Sequence, residues 1–549
     1  MKASDLFVKC LETEGVEYIF GLPGEENADL LMSLRGSSIR FILCRHEQAA
    51  AFMADVYGRL TGKAGVCLGT LGPGAANLVT GVANGNMDRS PMVVITGQAD
   101  TKLRHKESHQ SMDVVGMFTP ITKWAASVVR PESIPEMVRK AFKLAEMEKP
   151  GACLIELPED IAAMETSARP IPRERLRRAG PDYKAIAAAL ELIKSARHPV
   201  VLAGNGCVRK RAGRQLTEFA RKAGLGVINT FMGKGVIPRS DPHCLFTMGL
   251  QSRDHVSCAM ERADLVIAIG YDLVEYHPHL WNQGNAKRII HIDFLPAEVD
   301  DNYRVDVEIV CDIAGALWEL NQRLEHERLP LFDVSEHEVV RDRMLADFAE
   351  HKDDDSEPLI KPQKALWDVR EMMGPSDILL SDVGAHKMWI GRYYPCDESN
   401  TCLISNGFCS MGFALPGAIA AKMVHPDRRV LAVCGDAGVM MNMQDFETAV
   451  RYGINIVCLI WEDRDYGLVS WKQDNEFGEH FDMSFQNPDF VKLAEAFGAW
   501  GCRVRRSRDL RAALEVAFAC GKPALVTMDV DYSENAKLTE RLGQIVCPI

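Results

Sequence analysis

The sequence predicts an α/β protein built from three doubly wound parallel-sheet domains. Three observations carry that expectation. The chain has 549 residues, too many for one hydrophobic core. Short apolar runs of strand length alternate with helical patterns in three successive segments, the grammar of parallel sheets. One unit, strand–glycine loop–helix–strand, occurs near both ends of the chain, around Gly69 and around Gly435.

The first segment spans residues 1–168. Residues 65–70 form an apolar run, Leu71-Gly72-Pro73-Gly74 a loop, residues 75–85 a small-residue helix and residues 92–96 the next strand. Upstream, Arg45-His46-Glu47-Gln48 opens a helix over residues 49–60. Glu47 falls in its first turn, where a carboxylate also serves simply to complement the helix dipole. Residues 169–182 are rich in Pro and Arg, which reads as an exposed linker more readily than as an anion site in so acidic a chain. The second segment spans residues 183–324, with strands near residues 199–203, 264–269 and 288–293. Gly204-Asn205-Gly206 follows the first of these but lacks the full Gly-x-Gly-x-x-Gly spacing of a dinucleotide site. Residues 325–362 are polar and read as a solvated connection or an exposed helix. The third segment spans residues 363–549.

The third segment holds the pair that points to chemistry. Asp436 and Asp463 each follow an apolar run, residues 429–434 and 454–461, with a helix expected over residues 441–451 between them. A right-handed strand–helix–strand crossover makes the two strands parallel neighbours. Both aspartates then emerge at the carboxyl edge of the sheet, where open α/β folds bind ligands. Two carboxylates and a free loop carbonyl are hard oxygen donors, suited to magnesium bridging to a phosphate. A loop aspartate after a buried strand, with no such role, is the plainer alternative.

Composition narrows the class. Hydrophobic residues make up 47% and charged residues 25%, with a net charge of −13, which argues against nucleic-acid binding. No apolar run approaches the length of about 18 residues that spans a bilayer, so no membrane partner is expected. The start of the chain lacks a signal-peptide core. The 16 cysteines include no Cys-x-x-Cys pair, and many lie in strand-like runs, which fits buried thiols in a reducing cytoplasm. His277 and His279 flank Pro278, which reads as a loop rather than a metal site.

The pair and its spacing resemble the diphosphate motif of thiamine-diphosphate enzymes, with Asp463 lying 27 residues after Asp436. Ala437 stands where that family has Gly, and would cost on the order of 1 kcal/mol if the backbone there needs φ > 0. Further stretches resemble acetolactate synthases along nearly the whole chain: Gly21-Leu22-Pro23-Gly24, Arg45 to Gln48, Gly58 to Gly62, Gly72-Pro73-Gly74, His109-Gln110, Asp382 to His386 and Ser405 to Gly412. The resemblance implies a pyrimidine-binding first domain, a central domain and a diphosphate-binding third domain. It implies thiamine diphosphate and Mg2+ as cofactors, with Pro23, Glu47, Gly384, Ala385, His386, Met411, Asp436, Ala437, Gly438, Asp463, Asp465 and Tyr466 around the first. Asp436, Asp463 and the carbonyl of Asp465 would hold the metal. Glu47 would hydrogen-bond the pyrimidine ring, and Gln110 would face the reacting carbon. Lys472 occupies a substrate position, either clamping a carboxylate or pointing to solvent.

Residues 269–282 resemble the catabolic, flavin-free branch, so FAD is not expected. The implied reaction is condensation of two pyruvates to 2-acetolactate with loss of CO2, at a site shared across a homodimer interface. A 2-keto-acid decarboxylase releasing an aldehyde is the alternative, although the adjacent His-His pair of pyruvate decarboxylases is missing from the sequence. A relative acting on oxalyl or sulfonate substrates, or a non-catalytic binding or regulatory protein on the same scaffold, completes the alternatives.

Overall fold

The computed structural model of the chain describes every residue except 175–176, 210–211, 250–254, 331, 333–334, 536–537 and 539–549. Arg175 of the linker and the end of the third segment thus lie outside the described residues. The strands form three six-stranded sheets in which every pairing is parallel. The first runs β2 (Arg40–Leu43), β1 (Tyr18–Gly21), β3 (Gly65–Gly69), β4 (Met92–Gln98), β6 (Ala152–Pro158), β5 (Trp124–Ser127). The second runs β12 (Val307–Val310), β11 (Arg288–Asp293), β10 (Leu265–Ile269), β7 (Pro199–Ala203), β8 (Gly226–Asn229), β9 (Cys244–Thr247). The third runs β14 (Cys402–Ile404), β13 (Ile378–Ser381), β15 (Val430–Gly435), β16 (Val457–Glu462), β18 (Ala524–Asp529), β17 (Trp500–Val504).

Central strands such as Val200–Ala203 and Leu431–Cys434 are apolar at every position because helices cover both faces. Each sheet reverses its strand order within the sheet, between β1 and β3, between β10 and β7, and between β13 and β15; the first and third reverse again at the edge, at β6–β5 and β18–β17. At such a switch point the two following connections leave in opposite directions and open a crevice at the carboxyl edge.

The first and third domains share one core. The helix Glu47–Thr61 lies against the helix Ala414–Val424, both rich in small residues. The approach is close: a Cβ on Gly417 would stand 2.7 Å from Leu380 and 2.9 Å from Val56. All three domains meet at Asp88. Its carboxylate accepts from the Arg59 guanidinium at 2.8 Å and from the backbone N–H groups of Asn406 and Gly407, while the Asn205 amide donates to its carbonyl. Arg59 also bonds Asp55 at 2.7 and 3.1 Å and donates to the carbonyl of Ile404.

Two expectations change. The helix expected over residues 441–451 is interrupted: Asp436–Met440, a 3-10 turn Met443–Asp445, then Phe446–Tyr452. Asn442 causes the break, because its buried side chain donates to the carbonyl of Gly412 and leaves helical geometry at φ −133°. The polar stretch after residue 325 contains the helix Ser335–Ala349, which is anchored rather than solvated: Val340, Met344 and Phe348 form a stripe buried on the middle domain, with Phe348 5.1 Å from Phe246, ring centre to ring centre. The Arg-rich linker is exposed as expected over residues 171–174 and 177–180, and ion pairs hold it, Arg173 to Glu146 at 2.7 Å and Arg178 to Glu148 at 3.3 Å.

Arg59→Met would leave Asp55 and Asp88 buried without their cation. We expect a loss of about 3–5 kcal/mol of stability, read as a lower urea midpoint at neutral pH. An unchanged midpoint would show that the junction does not hold the domains together.

Candidate active site

The first domain's switch point brings Pro23-Gly24 and Thr70 together. A Cβ on Gly24 would lie 2.2 Å from the Thr70 hydroxyl, so only glycine lets the two loops meet. Beside them Glu47 begins the helix Glu47–Thr61, capped by the His46 ring, which accepts from the Gln48 N–H at 3.1 Å. Glu47 is buried. Its Oε2 accepts from the Asn77 amide at 3.0 Å, and its Oε1 lies over Gly74, where a Cβ would come within 3.2 Å. Gly72 has φ +47°, and a Cβ there would stand 2.5 Å from the carbonyl oxygen of Gln110. The structure therefore places Glu47, the 70–74 loop and Gln110 at one edge. Gln110 is exposed and itself has φ +55°, a left-handed conformation that non-glycine residues seldom adopt.

The third domain's switch point is built around His386. A Cβ on Gly384 would lie 2.9 Å from its Cε1, and one on Gly435 would lie 3.2 Å away, so the loops after β13 and β15 converge on this ring. Gly384 has φ +153°, open to glycine alone. His386 is buried, its Nε2 has no hydrogen-bond partner among the described residues, and burial drives its pKa down to about 3. An orphaned neutral imidazole nitrogen beside two glycine loops fits a group that supplies its missing partner. Ala385 is the first residue of the helix Ala385–Tyr393 that Gly384 caps.

Asp436 and Asp463 follow β15 and β16, which pair directly. Asp436 is buried; its Oδ2 accepts from the N–H groups of Asp463 and Arg464 at 3.2 and 2.8 Å and from the Asn487 amide at 2.8 Å. Asp463 is partly buried. Burial and then the adjacent Asp436 carboxyl push it up to about 8. Two carboxyls this close cannot both ionise without a cation, which is the donor chemistry of a magnesium site. The side chain of Asp465 is taken by the Ser470 and Ser484 hydroxyls, at 2.9 Å for the latter. Ala437 and Gly438 sit in the helical turn Asp436–Met440, and Ala437 has no positive φ, so the strain weighed for it does not arise.

Met411 is half-buried between Ser410 and Gly412, whose N–H bonds Asp382 at 2.8 Å. Tyr466 is exposed and its ring lies 5.4 Å from that of Phe485. Lys472 points to solvent, 3.7 Å from Glu476, at the rim of a cavity of about 550 Å3 that also borders Val383 and Gly384. Sequence reasoning assigned no part to Asn77, Asn487 or Asp382. Asn77 was visible in the 72–78 stretch; Asn487 lies 51 residues from the aspartate it orients, with no local signal.

Within one chain these two clusters share no hydrogen bond among the described residues. At the middle domain's switch point the crevice is filled instead. A Cβ on Gly204 would lie 2.6 Å from the Gly270 carbonyl, and the Glu275 carboxylate accepts from the N–H groups of Asn205, at 3.0 and 3.1 Å, and of Asp272, at 3.0 Å. Glu275 thus sits where a dinucleotide's phosphate would accept from the loop after the first strand. Burial, then the Asp272 charge, raises its pKa to about 7.

Comparison with known proteins agrees with this architecture. Residues 1–117 match the N-terminal TPP binding domain of thiamine pyrophosphate enzymes, residues 186–320 the central domain, and residues 382–528 the C-terminal TPP binding domain. The chain is 36% identical to the catabolic acetolactate synthase of Raoultella terrigena, covering 99% of this chain and 97% of the relative. It is 34% identical to the acetolactate synthase of Bacillus subtilis, over 99% and 97%. It is 35% identical to a probable acetolactate synthase large subunit of Methanococcus aeolicus, over 99% and 96%. With three matched domains in order and likeness along its whole length, the chain belongs to the thiamine-diphosphate-dependent acetolactate synthase family.

Proposed function

We propose that the protein condenses two molecules of pyruvate to 2-acetolactate with release of CO2, using thiamine diphosphate and Mg2+. The observation that carries this reading is the buried Asp436 beside Asp463 at the third domain's switch point, where the His386 Nε2 also has no partner among the described residues. Asp436, Asp463 and the Asp465 carbonyl would hold the metal. His386, Gly384, Ala385, Ala437 and Gly438 would hold the diphosphate, with Tyr466 near it. Met411 would keep the cofactor bent, and Pro23 would border its pyrimidine end. The cofactor supplies the carbanion chemistry. Glu47, oriented by Asn77, would hold a proton at the pyrimidine nitrogen, and Gln110 would orient the substrate carbonyl.

The two clusters lie on different domains, and the cofactor needs both ends held. We assign the active site to the interface of a homodimer, each copy contributing Glu47 to the other's Asp436. Exposed Val469, Phe477 and Phe481 beside Tyr466 offer apolar area for that contact. Glu275 in the middle crevice supports a protein without flavin. The free cysteines, mostly buried, suit a cytoplasmic location, although Cys258 is disulfide-bonded. No helix among the described residues is long and apolar enough to cross a membrane.

Pyruvate with thiamine diphosphate and Mg2+ should give acetolactate; acetaldehyde instead would mark a decarboxylase, and no product a binding protein. Glu47→Gln should lower turnover on the order of 10²–10⁴-fold without unfolding the protein, as should Asp436→Asn. Mixed dimers of the two variants should recover activity, because one of their sites carries both native residues. Failure to recover it would place each site within one chain.

The metal pair has a pH signature. In the metal-free fold Asp463 keeps its proton up to about 8, whereas an unfolded aspartate loses it near about 4. The fold therefore favours the protonated form, and the metal-free protein loses stability as pH rises between those values. A divalent cation that replaces the proton should stabilise more at pH 8 than at pH 6. Asp463→Asn should raise the metal-free melting temperature at pH 8 and abolish the gain from Mg2+ with thiamine diphosphate. An equal gain in the variant would remove Asp463 from the metal site. Finally, protein denatured after purification should release no flavin absorbance; stoichiometric FAD would overturn the role given to Glu275.

A further inference from the structure

The cavity bordering Gly384 contains a cation that the chemistry above does not use. Lys387 lies on the helix Ala385–Tyr393 and is only 3% exposed. Its Nζ donates to the Cys409 sulfur at 3.0 Å, and among the described residues no carboxylate pairs with it. Cys409 in turn donates to the carbonyl of Asn406 at 2.8 Å and has φ +55°, so the loop is held against its preference with the sulfur over the ammonium. A buried ammonium with only a thiol for a partner is poorly satisfied. It faces a cavity of about 550 Å3 whose other walls include Met388, Leu468 and Trp471, with Lys472 at the rim. Asn475 and Glu476 line it too, the latter paired with Lys472, so the apolar walls around the inward cation suit a small organic acid with a short carbon body.

We propose that Lys387 binds the carboxylate of the 2-keto acid from inside this cavity, displacing Cys409 as its partner. The proposal rests on the pyruvate reading given above and replaces Lys472, which points to solvent and pairs with Glu476, as the anion anchor. The other anion within reach would be the cofactor's diphosphate. Neighbouring residues on a helix project about 100° apart, so Lys387 leaves the helix in a different direction from His386, and its Nζ rests on the loop that leads to Met411 rather than on the Gly435–Gly438 turn.

The test uses the full-length protein loaded with thiamine diphosphate and Mg2+. Lys387→Met should raise the KM for pyruvate at least tenfold, with kcat within a few-fold, and Lys387→Arg should restore most of the loss. Thiamine diphosphate affinity by calorimetry, without pyruvate, should be unchanged. A fall in that affinity, with the KM for pyruvate unaltered at saturating cofactor, would hand Lys387 to the diphosphate and overturn the proposal.

A second readout needs no turnover. Alkylation of Cys409, followed on its peptide by mass spectrometry, should favour anionic iodoacetate over neutral iodoacetamide in the native protein, and pyruvate should slow it. Both effects should vanish in Lys387→Met. Protection by pyruvate that persists in the variant would overturn the subsite. If the native protein makes no product from pyruvate yet pyruvate protects Cys409 in a Lys387-dependent way, the subsite stands and the acetolactate reading falls.

Discussion

The constraint on which the rest of the structure depends is the divergence of two connections at a reversal of strand order. Each sheet has such a point within it, and at each the two loops approach closely enough to restrict a Cβ: Gly24 on Thr70, Gly204 on Gly270, Gly435 on His386. What differs is what the crevice is given. The first receives a buried carboxylate held by an amide, Glu47 on Asn77. The third receives an acid pair and an imidazole whose Nε2 has no partner among the described residues. The middle one receives its own anion, Glu275. One scaffold, used three times, thus yields two crevices lined by ionisable groups and one closed by its own carboxylate.

Much of this was legible in the sequence because the chemistry demands particular residues at strand ends. Asp436, Asp463 and Glu47 stand directly after apolar runs, and parallel pairing leaves them no other edge to occupy. Three domains followed from length and alternation. What was not legible depends on contacts between distant segments. Asn487 orients Asp436 from 51 residues away, and Asn442 breaks a helix because Gly412 offers it a carbonyl. The stripe Val340, Met344, Phe348 was present in the sequence but lay in a polar stretch, so its burial needed the middle domain to be seen. Lys387 gave no signal at all; its burial, and the lack among the described residues of a carboxylate around its Nζ, distinguish it from a surface lysine.

The charges divide the work. Burial and the neighbouring Asp436 carboxyl hold the Asp463 proton on, and the His386 Nε2 has no hydrogen-bond partner among the described residues. The Arg59 cluster, by contrast, is complete: its guanidinium meets Asp55, Asp88 and the Ile404 carbonyl, and so joins the first domain to the third. Unsatisfied groups lie where small molecules are expected, and satisfied ones lie where domains meet. That separation lets the scaffold stay rigid while the site remains open to its ligands.

Glu275 carries one more implication. A domain that completes its crevice with a borrowed nucleotide gains stability by mass action, and so follows the supply of that nucleotide. Here the filling anion is covalently part of the chain. The Glu275 carboxylate therefore occupies the crevice at a concentration fixed by the fold, whatever nucleotides surround the protein.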